Sequence, residues 1–244
     1  MRFLMNFGMV AICAALCASC AAGDDDEVEH DPIDFEVDAD DGKGDGVAAV
    51  FNQNNVLTDA LMVDSVSMTV PELQAFFERS PYGNRSWLAS HKINGVPAAQ
   101  FVFDAAVAQK IHPLVIVARM QVESSLVSKT AAPTQRLIDR ALGCGCPDGA
   151  ACNTLYKGLD KQLHCGAKTL RRWFDASVAG TGEWRKDRAK RTLDPRTVTP
   201  ANHATATLYA YTPWVLVGSG GNWLVWNVTR KYVRHAEANG WVSK

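Results

Sequence analysis

The chain has 244 residues, with 25 lysines and arginines against 26 aspartates and glutamates. Its hydrophobic fraction of 47% excludes a chain disordered throughout. It shows no Ser-His-Asp spacing, phosphate loop or His-x-x-x-His pair, which argues against the hydrolase, nucleotide-binding and zinc-helix chemistries those motifs carry.

The chain opens with Arg2, an apolar run from Phe3 to about Ala18, then small residues and Cys20. This is the charged, apolar and small-residue order of a secretory signal, and the run is too short to read as a spanning helix. Leu16-Cys17-Ala18-Ser19-Cys20 resembles a bacterial lipoprotein cleavage site, which implies that Cys20 is lipidated and becomes the first residue. Cutting by the ordinary signal peptidase would release a soluble product instead. The expected location is the cell envelope, with the membrane contacted through the lipid on Cys20.

From Asp24 to Asp45 twelve acidic residues face a single lysine, Lys43. Such a segment cannot bury enough apolar surface to offset the entropy of ordering, so residues 21–46 read as a disordered tether. The aspartates from Asp38 to Asp45 lack the twelve-residue loop spacing of a calcium site. The balanced total charge therefore hides an asymmetry. After position 46 there are 23 basic residues against 14 acidic ones, a net +9, which favours polyanionic envelope partners. Export makes nucleic acid an improbable partner.

Residues 47–244 suit one domain with a full core, and helical patterns dominate them. Pro71–Arg79 carries Leu73, Phe76 and Phe77 on one side. Pro97–Lys110 spaces Phe101, Val102, Ala105, Ala106 and Ala108 at helical intervals. Helices are expected again over Leu159–Asp175, Ala201–Ala210 and Asn222–Ala238. No alternating run is long enough for a sheet, so the expected class is all-α, or α+β with minor hairpins at most.

The segment from Pro113 to Val127 stands apart. Pro113 suits a first helical position, with His112 just ahead of it. The apolar residues from Leu114 to Val127 surround the whole helical wheel, the pattern of a buried central helix. Glu123 falls between Ile116, Met120 and Val127 on that wheel. Apolar surroundings disfavour the charged form of a carboxyl, and a general acid working near neutral pH needs that. The plainer alternative is an ion pair with Arg119 one turn earlier.

Four cysteines follow the leader: Cys144, Cys146, Cys152 and Cys165. In an oxidising compartment an even count reads as disulfides, and four cysteines allow three pairings. Cys144 and Cys146 are too close for a comfortable pair. The favoured reading joins Cys146 to Cys152 and Cys144 to Cys165. A zinc site using these thiols with His164 is the rival, but the C-x-C spacing departs from a zinc knuckle, and no metal or other cofactor is expected.

Further on, Thr199 to Leu208 reads as a capped helix start leading into Tyr209-Ala210-Tyr211-Thr212-Pro213. Trp214, Trp223 and Trp226 cluster beyond it; tryptophan faces pack well on sugar rings, but core packing is the commoner use of such a cluster.

The segment Gln121-Val122-Glu123-Ser124-Ser125-Leu126, closing a proline-started apolar helix, resembles the catalytic helix of the lysozyme-like superfamily and its lytic transglycosylase branch. Ala105-Ala106 to Pro113, Cys144 to Cys152 and Thr199 to Pro213 resemble stretches in a group of secreted bacterial proteins of that superfamily. The resemblance spans roughly Val70 to Tyr232. It implies a lysozyme-like domain around a buried central helix, with Glu123 as the sole catalytic acid. It further implies Gln121, Ser124, Tyr209 and Tyr211 on the substrate side, and peptidoglycan glycan strands as the partner of a monomeric protein. Relatives place a Gly-Leu-Met-Gln segment where this chain has Ala141-Leu142-Gly143-Cys144-Gly145, so details of the cleft do not carry over. The implied reaction is lytic transglycosylation, with lysozyme-type or glucosaminidase hydrolysis, or glycan binding without cleavage, as alternatives. Hydrolysis usually needs a second carboxylate, and Asp139, Asp148, Asp160, Asp175 and Glu183 are candidates that no motif ranks.

Overall fold

A computed structural model describes residues 46–147 and 151–242. The leader, most of the tether, Cys20 and Asp148 lie outside the described residues. Eight α-helices account for nearly all the regular structure among those described: α1 Asp59–Val63, α2 Val70–Glu78, α3 Ala98–Gln109, α4 Pro113–Ser124, α5 Gln135–Ile138, α6 Leu159–Val178, α7 His203–Tyr211 and α8 Gly221–Ala238. Two short 3-10 helices, Trp87–Ala89 and Thr154–Tyr156, and two antiparallel hairpins of minimal length complete it, the hairpins pairing β1 Lys92–Ile93 with β2 Val96–Pro97 and β3 Lys190–Arg191 with β4 Thr197–Val198. The mostly helical expectation holds, minor hairpins included.

Local chemistry sets the helix boundaries. Thr69 and Glu72 form a reciprocal capping box at the start of α2. Asn202 caps α7 by accepting from the Thr205 N–H at 2.8 Å. Helix α4 begins at Pro113, with His112 as its cap. It stops at Ser124 rather than running on to Val127, because Ser125 adopts a left-handed conformation at φ 52°. The Gln121 side chain stabilises that stop. Its Oε1 accepts from the N–H groups of Val127 and Ser128 at 3.0 and 3.1 Å, and its Nε2 donates to Ser128 Oγ at 3.1 Å.

Helix α4 is the centre of the core, as its all-round apolar pattern requires. Every residue from Pro113 to Gln121 is buried, and the helix packs against α3, α6 and α8. Helices α6 and α7 pack on each other, and α3 bridges α2 and α6. The first described segment is stitched onto α7 and α8. Asn202 Nδ2 donates to the Asn55 side chain and the Leu57 carbonyl, both at 2.8 Å, and Trp226 Nε1 donates to the Ala48 carbonyl at 2.9 Å.

At the N-terminal end of α4, a cavity of about 300 Å³ is bordered by Gly46, Asp64, Ser67, His112, Leu114 and Glu237 among others. His112 is 3% exposed. Its Nδ1 accepts from the Leu114 N–H at 3.0 Å, and its Nε2 lies 2.8 Å from Ser67 Oγ. Since Nδ1 must accept, the ring proton sits on Nε2 and points to Ser67, so this pair cannot serve as a serine with a general base.

Burial pushes the His112 imidazole from its ordinary 6.5 down to about 3. Protonation would remove the acceptor at Nδ1 and set a positive charge at the positive end of the helix dipole. Because the folded value is the lower one, this contribution is complete above pH 6.5 and is lost as pH falls from there toward 3. Thermal unfolding followed from pH 7.5 to 5 should show this group's contribution level above pH 6.5 and falling below it, by up to roughly 1.4 kcal/mol per pH unit. His112→Asn, which keeps a cap acceptor that does not titrate, should flatten that slope.

Candidate functional site

Four segments meet at the C-terminal end of α4: its last turn with Glu123, the 141–144 loop, the end of α7 with Tyr211, and Thr212 just beyond. The key contact is between two residues one helical turn apart. Arg119 has no exposed side-chain surface, whereas Glu123 retains 29%. One guanidinium nitrogen, Nη2, donates to Glu123 Oε1 and to Thr212 Oγ1, the latter at 2.9 Å. The guanidinium carbon lies 4.3 Å from the centre of the Tyr211 ring, a cation–π contact. Arg119 Nε and Nη1 have no hydrogen-bond partner among the described residues.

The mainly apolar setting expected for Glu123 is therefore corrected. Its carboxyl takes part in the ion pair that spacing alone already allowed. One oxygen, Oε1, is occupied by Arg119, while Oε2 faces Gly143. A Cβ at Gly143 would stand 3.4 Å from Oε2, and the residue has φ +66°. Glycine serves twice here, allowing the backbone conformation and leaving Oε2 uncovered on that side.

The 141–144 loop is held on every side. Ser124 Oγ donates to the carbonyls of Met120 and Ala141, at 2.7 and 2.9 Å. The Tyr211 hydroxyl donates to the Leu142 carbonyl at 2.7 Å. Burial pushes the Tyr211 phenol up to about 12, so it stays a donor across the neutral range. From α6, the buried Gln162 accepts the N–H groups of Leu142 and Cys144, both at 3.1 Å. Its Nε2 donates to the carbonyls of Cys144 and Tyr156, both at 2.7 Å. Cys144 is joined to Cys165 of α6, and Cys146 to Cys152, with Cα separations of 6.0 and 4.1 Å. This is the favoured pairing, and it commits all four thiols to disulfides.

The residues expected on the substrate side divide. Tyr211 belongs to the cluster through its ring, although its hydroxyl binds Leu142 and not Glu123. Gln121 and Ser124 spend their polar groups on the helix stop and on the Ala141 loop. Tyr209 is fully buried and stacks on Trp184, with ring centroids 5.0 Å apart. Its hydroxyl is enclosed without a partner among the described residues, and burial together with Asp194 pushes its phenol well up. This position removes Tyr209 from any surface site. Among the candidate second carboxylates, Asp139 accepts from Gln135, Asp175 pairs with Arg171, and Glu183 pairs with Lys190.

Stability should respond unequally to two changes at Glu123. Glu123→Ala leaves a buried guanidinium without its counter-ion, and urea unfolding should show a loss of about 3 kcal/mol or more. Glu123→Gln keeps a carbonyl acceptor for Nη2 and should cost about half of that or less. Equally small losses would mean that Arg119 does not depend on this partner, and equally large ones that it depends on the charge rather than on the acceptor.

Family models, curated proteins and solved structures were compared with the chain, and none matches it.

Proposed function

We propose that the protein is an exported, lysozyme-like enzyme of the cell envelope that cleaves peptidoglycan glycan strands as a lytic transglycosylase, with Glu123 as its proton-transferring group. In this reading Cys20 carries a lipid, and the acidic segment after it spaces the basic domain from the membrane. The observation that carries the reading is the half-buried carboxyl group on the last turn of a helix that is buried from Pro113 to Gln121. One oxygen is fixed by a buried arginine, and the other is open beside a glycine.

The chemistry asked of Glu123 is compact. Glu123, paired as a carboxylate with Arg119 at rest, first takes a proton from solvent on Oε2, and Oε2 then gives it to the glycosidic oxygen as the C1–O bond breaks. It then takes the proton of the 6-hydroxyl of N-acetylmuramic acid as that oxygen bonds to C1. The product is a 1,6-anhydro end, and water takes no part. Arg119 holds Oε1, so the same oxygen serves both transfers. Ser124, Gln121 and Gln162 act at one remove, keeping the helix end and the 141–144 loop in register. A hydrolase would need a second carboxylate, at roughly 5–5.5 Å for retention or roughly 6.5–9.5 Å for inversion. Of the five candidates, Asp139, Asp175 and Glu183 are engaged by Gln135, Arg171 and Lys190, which leaves Asp148 and Asp160 as the carboxylates a hydrolase would have to recruit.

One observation favours a second reading. An ion pair with a fully buried arginine is also how a structural carboxylate is held, so the protein would then grip glycan without cutting it.

Incubation with purified peptidoglycan, followed by mass spectrometry of the products, separates these readings. Anhydro-muropeptides are expected, with reducing ends marking a hydrolase instead. Glu123→Gln should lower turnover by about 10²–10⁴-fold while keeping glycan binding. Equal binding by both proteins with cleavage by neither would establish the binder.

A further inference from the structure

The tryptophans near the C-terminus do not share one environment. Trp223 and Trp226 are each 8% exposed and belong to the core, whereas Trp214 is 37% exposed. Leu193 and Val217, on neighbouring backbone, are 62% and 52% exposed. Trp214 lies two residues after Thr212, so its Cα is within about 7 Å of the residue that hydrogen-bonds Arg119. The exposed apolar surface thus begins beside the Glu123 cluster.

The backbone carrying Trp214 is fixed with unusual thoroughness for an exposed loop. The buried Asn222 donates its side-chain amide to the carbonyls of Thr212 and Trp214, at 2.8 and 3.1 Å. Its own Oδ1 is left without a partner among the described residues. Asp194 accepts the N–H groups of Val215 and Leu216 at 3.0 and 2.9 Å, and the Leu193 N–H donates to the Pro213 carbonyl at 2.8 Å. Leu216 holds φ +45°, a left-handed conformation that costs about 1–3 kcal/mol in a bulky residue. A side chain added at Gly221 would meet the Trp214 carbonyl at 2.6 Å. An unpaired buried acceptor and a strained leucine are thus kept in a segment whose indole is partly open to solvent.

We propose that Trp214, with Leu193 beside it, is a stacking platform for one sugar ring of the glycan whose linkage lies at Glu123. The proposal rests on the glycan-acting reading above. A pyranose ring offers a face of C–H bonds that packs on an indole, and its hydroxyls stay solvated at the edge. A fixed indole loses little freedom when the sugar arrives. Trp214 is accordingly a positioning residue that sets which linkage reaches Oε2.

The test uses the full chain and two probes, a β-1,4-linked N-acetylglucosamine oligosaccharide and purified peptidoglycan. Trp214→Ala should weaken binding of both on the order of tenfold or more, and Trp214→Phe should retain most of the affinity. Leu193→Ser, at a highly exposed position, should weaken binding by a smaller factor without changing the unfolding temperature. In wild type, indole fluorescence should become protected from a collisional quencher when glycan binds, and Trp214→Phe should lose that protection. Wild-type binding left unchanged by Trp214→Ala would overturn the platform and leave the glycan-acting reading standing. A wild type that binds neither probe would overturn both. Self-association that Trp214→Ala abolishes, with glycan binding unchanged, would assign the surface to a second copy of the chain.

Discussion

A guanidinium with no access to water has to find its compensation inside the protein, and Arg119 is such a group. Removing an ion from water costs several kcal/mol even after relaxation, so its surroundings are constrained before any question of function arises. Glu123 supplies the counter-charge, Thr212 an acceptor, and Tyr211 the electron-rich face of a ring. Those three residues come from the end of α4, the end of α7 and the connection leading to α8. One buried cation thus draws together the segments that form the site, at the C-terminal end of α4.

The opposite wall depends on a different device. The 141–144 loop has little secondary structure, yet Gln162 uses its amide oxygen and amide nitrogen for two bonds each to backbone groups. Close packing tightens this wall further. A Cβ at Gly166 would come within 2.4 Å of Leu142, so α6 approaches the loop as nearly as a helix can. Side-chain amide, disulfide and glycine together convert an irregular stretch into a fixed surface facing Glu123.

Much of this was legible in the sequence, and the limits have physical causes. Helix α4 announced itself through Pro113 and an apolar wheel, because full burial leaves no polar stripe. Its end was misjudged by three residues, since a serine entered the left-handed region where a glycine would have signalled the stop. The Asn94-Gly95 turn of the first hairpin follows a known pattern, with both residues at positive φ, but its strands are too short to show alternation. The Arg119–Glu123 contact was visible as an i,i+4 spacing, whereas the depth of Arg119 was not, because local pattern carries no information about what covers a helix. Gln162 gave no signal at all, since its partners lie twenty and eighteen residues away in the chain. Trp214 read like its two neighbours because aromatic clustering in sequence says nothing about which ring reaches the surface.

The cavity bordered by both Gly46 and His112 fixes a direction for the whole domain. Gly46 is the first residue described and borders the same cavity as the start of α4, while Glu123 lies on the last turn of that helix. Twelve helical residues rise about 18 Å, a large part of the width of a domain this size. Gly46 therefore lies toward the pole opposite the carboxylate. A contact made at that pole would leave Glu123 on the far side of the domain, facing away from it.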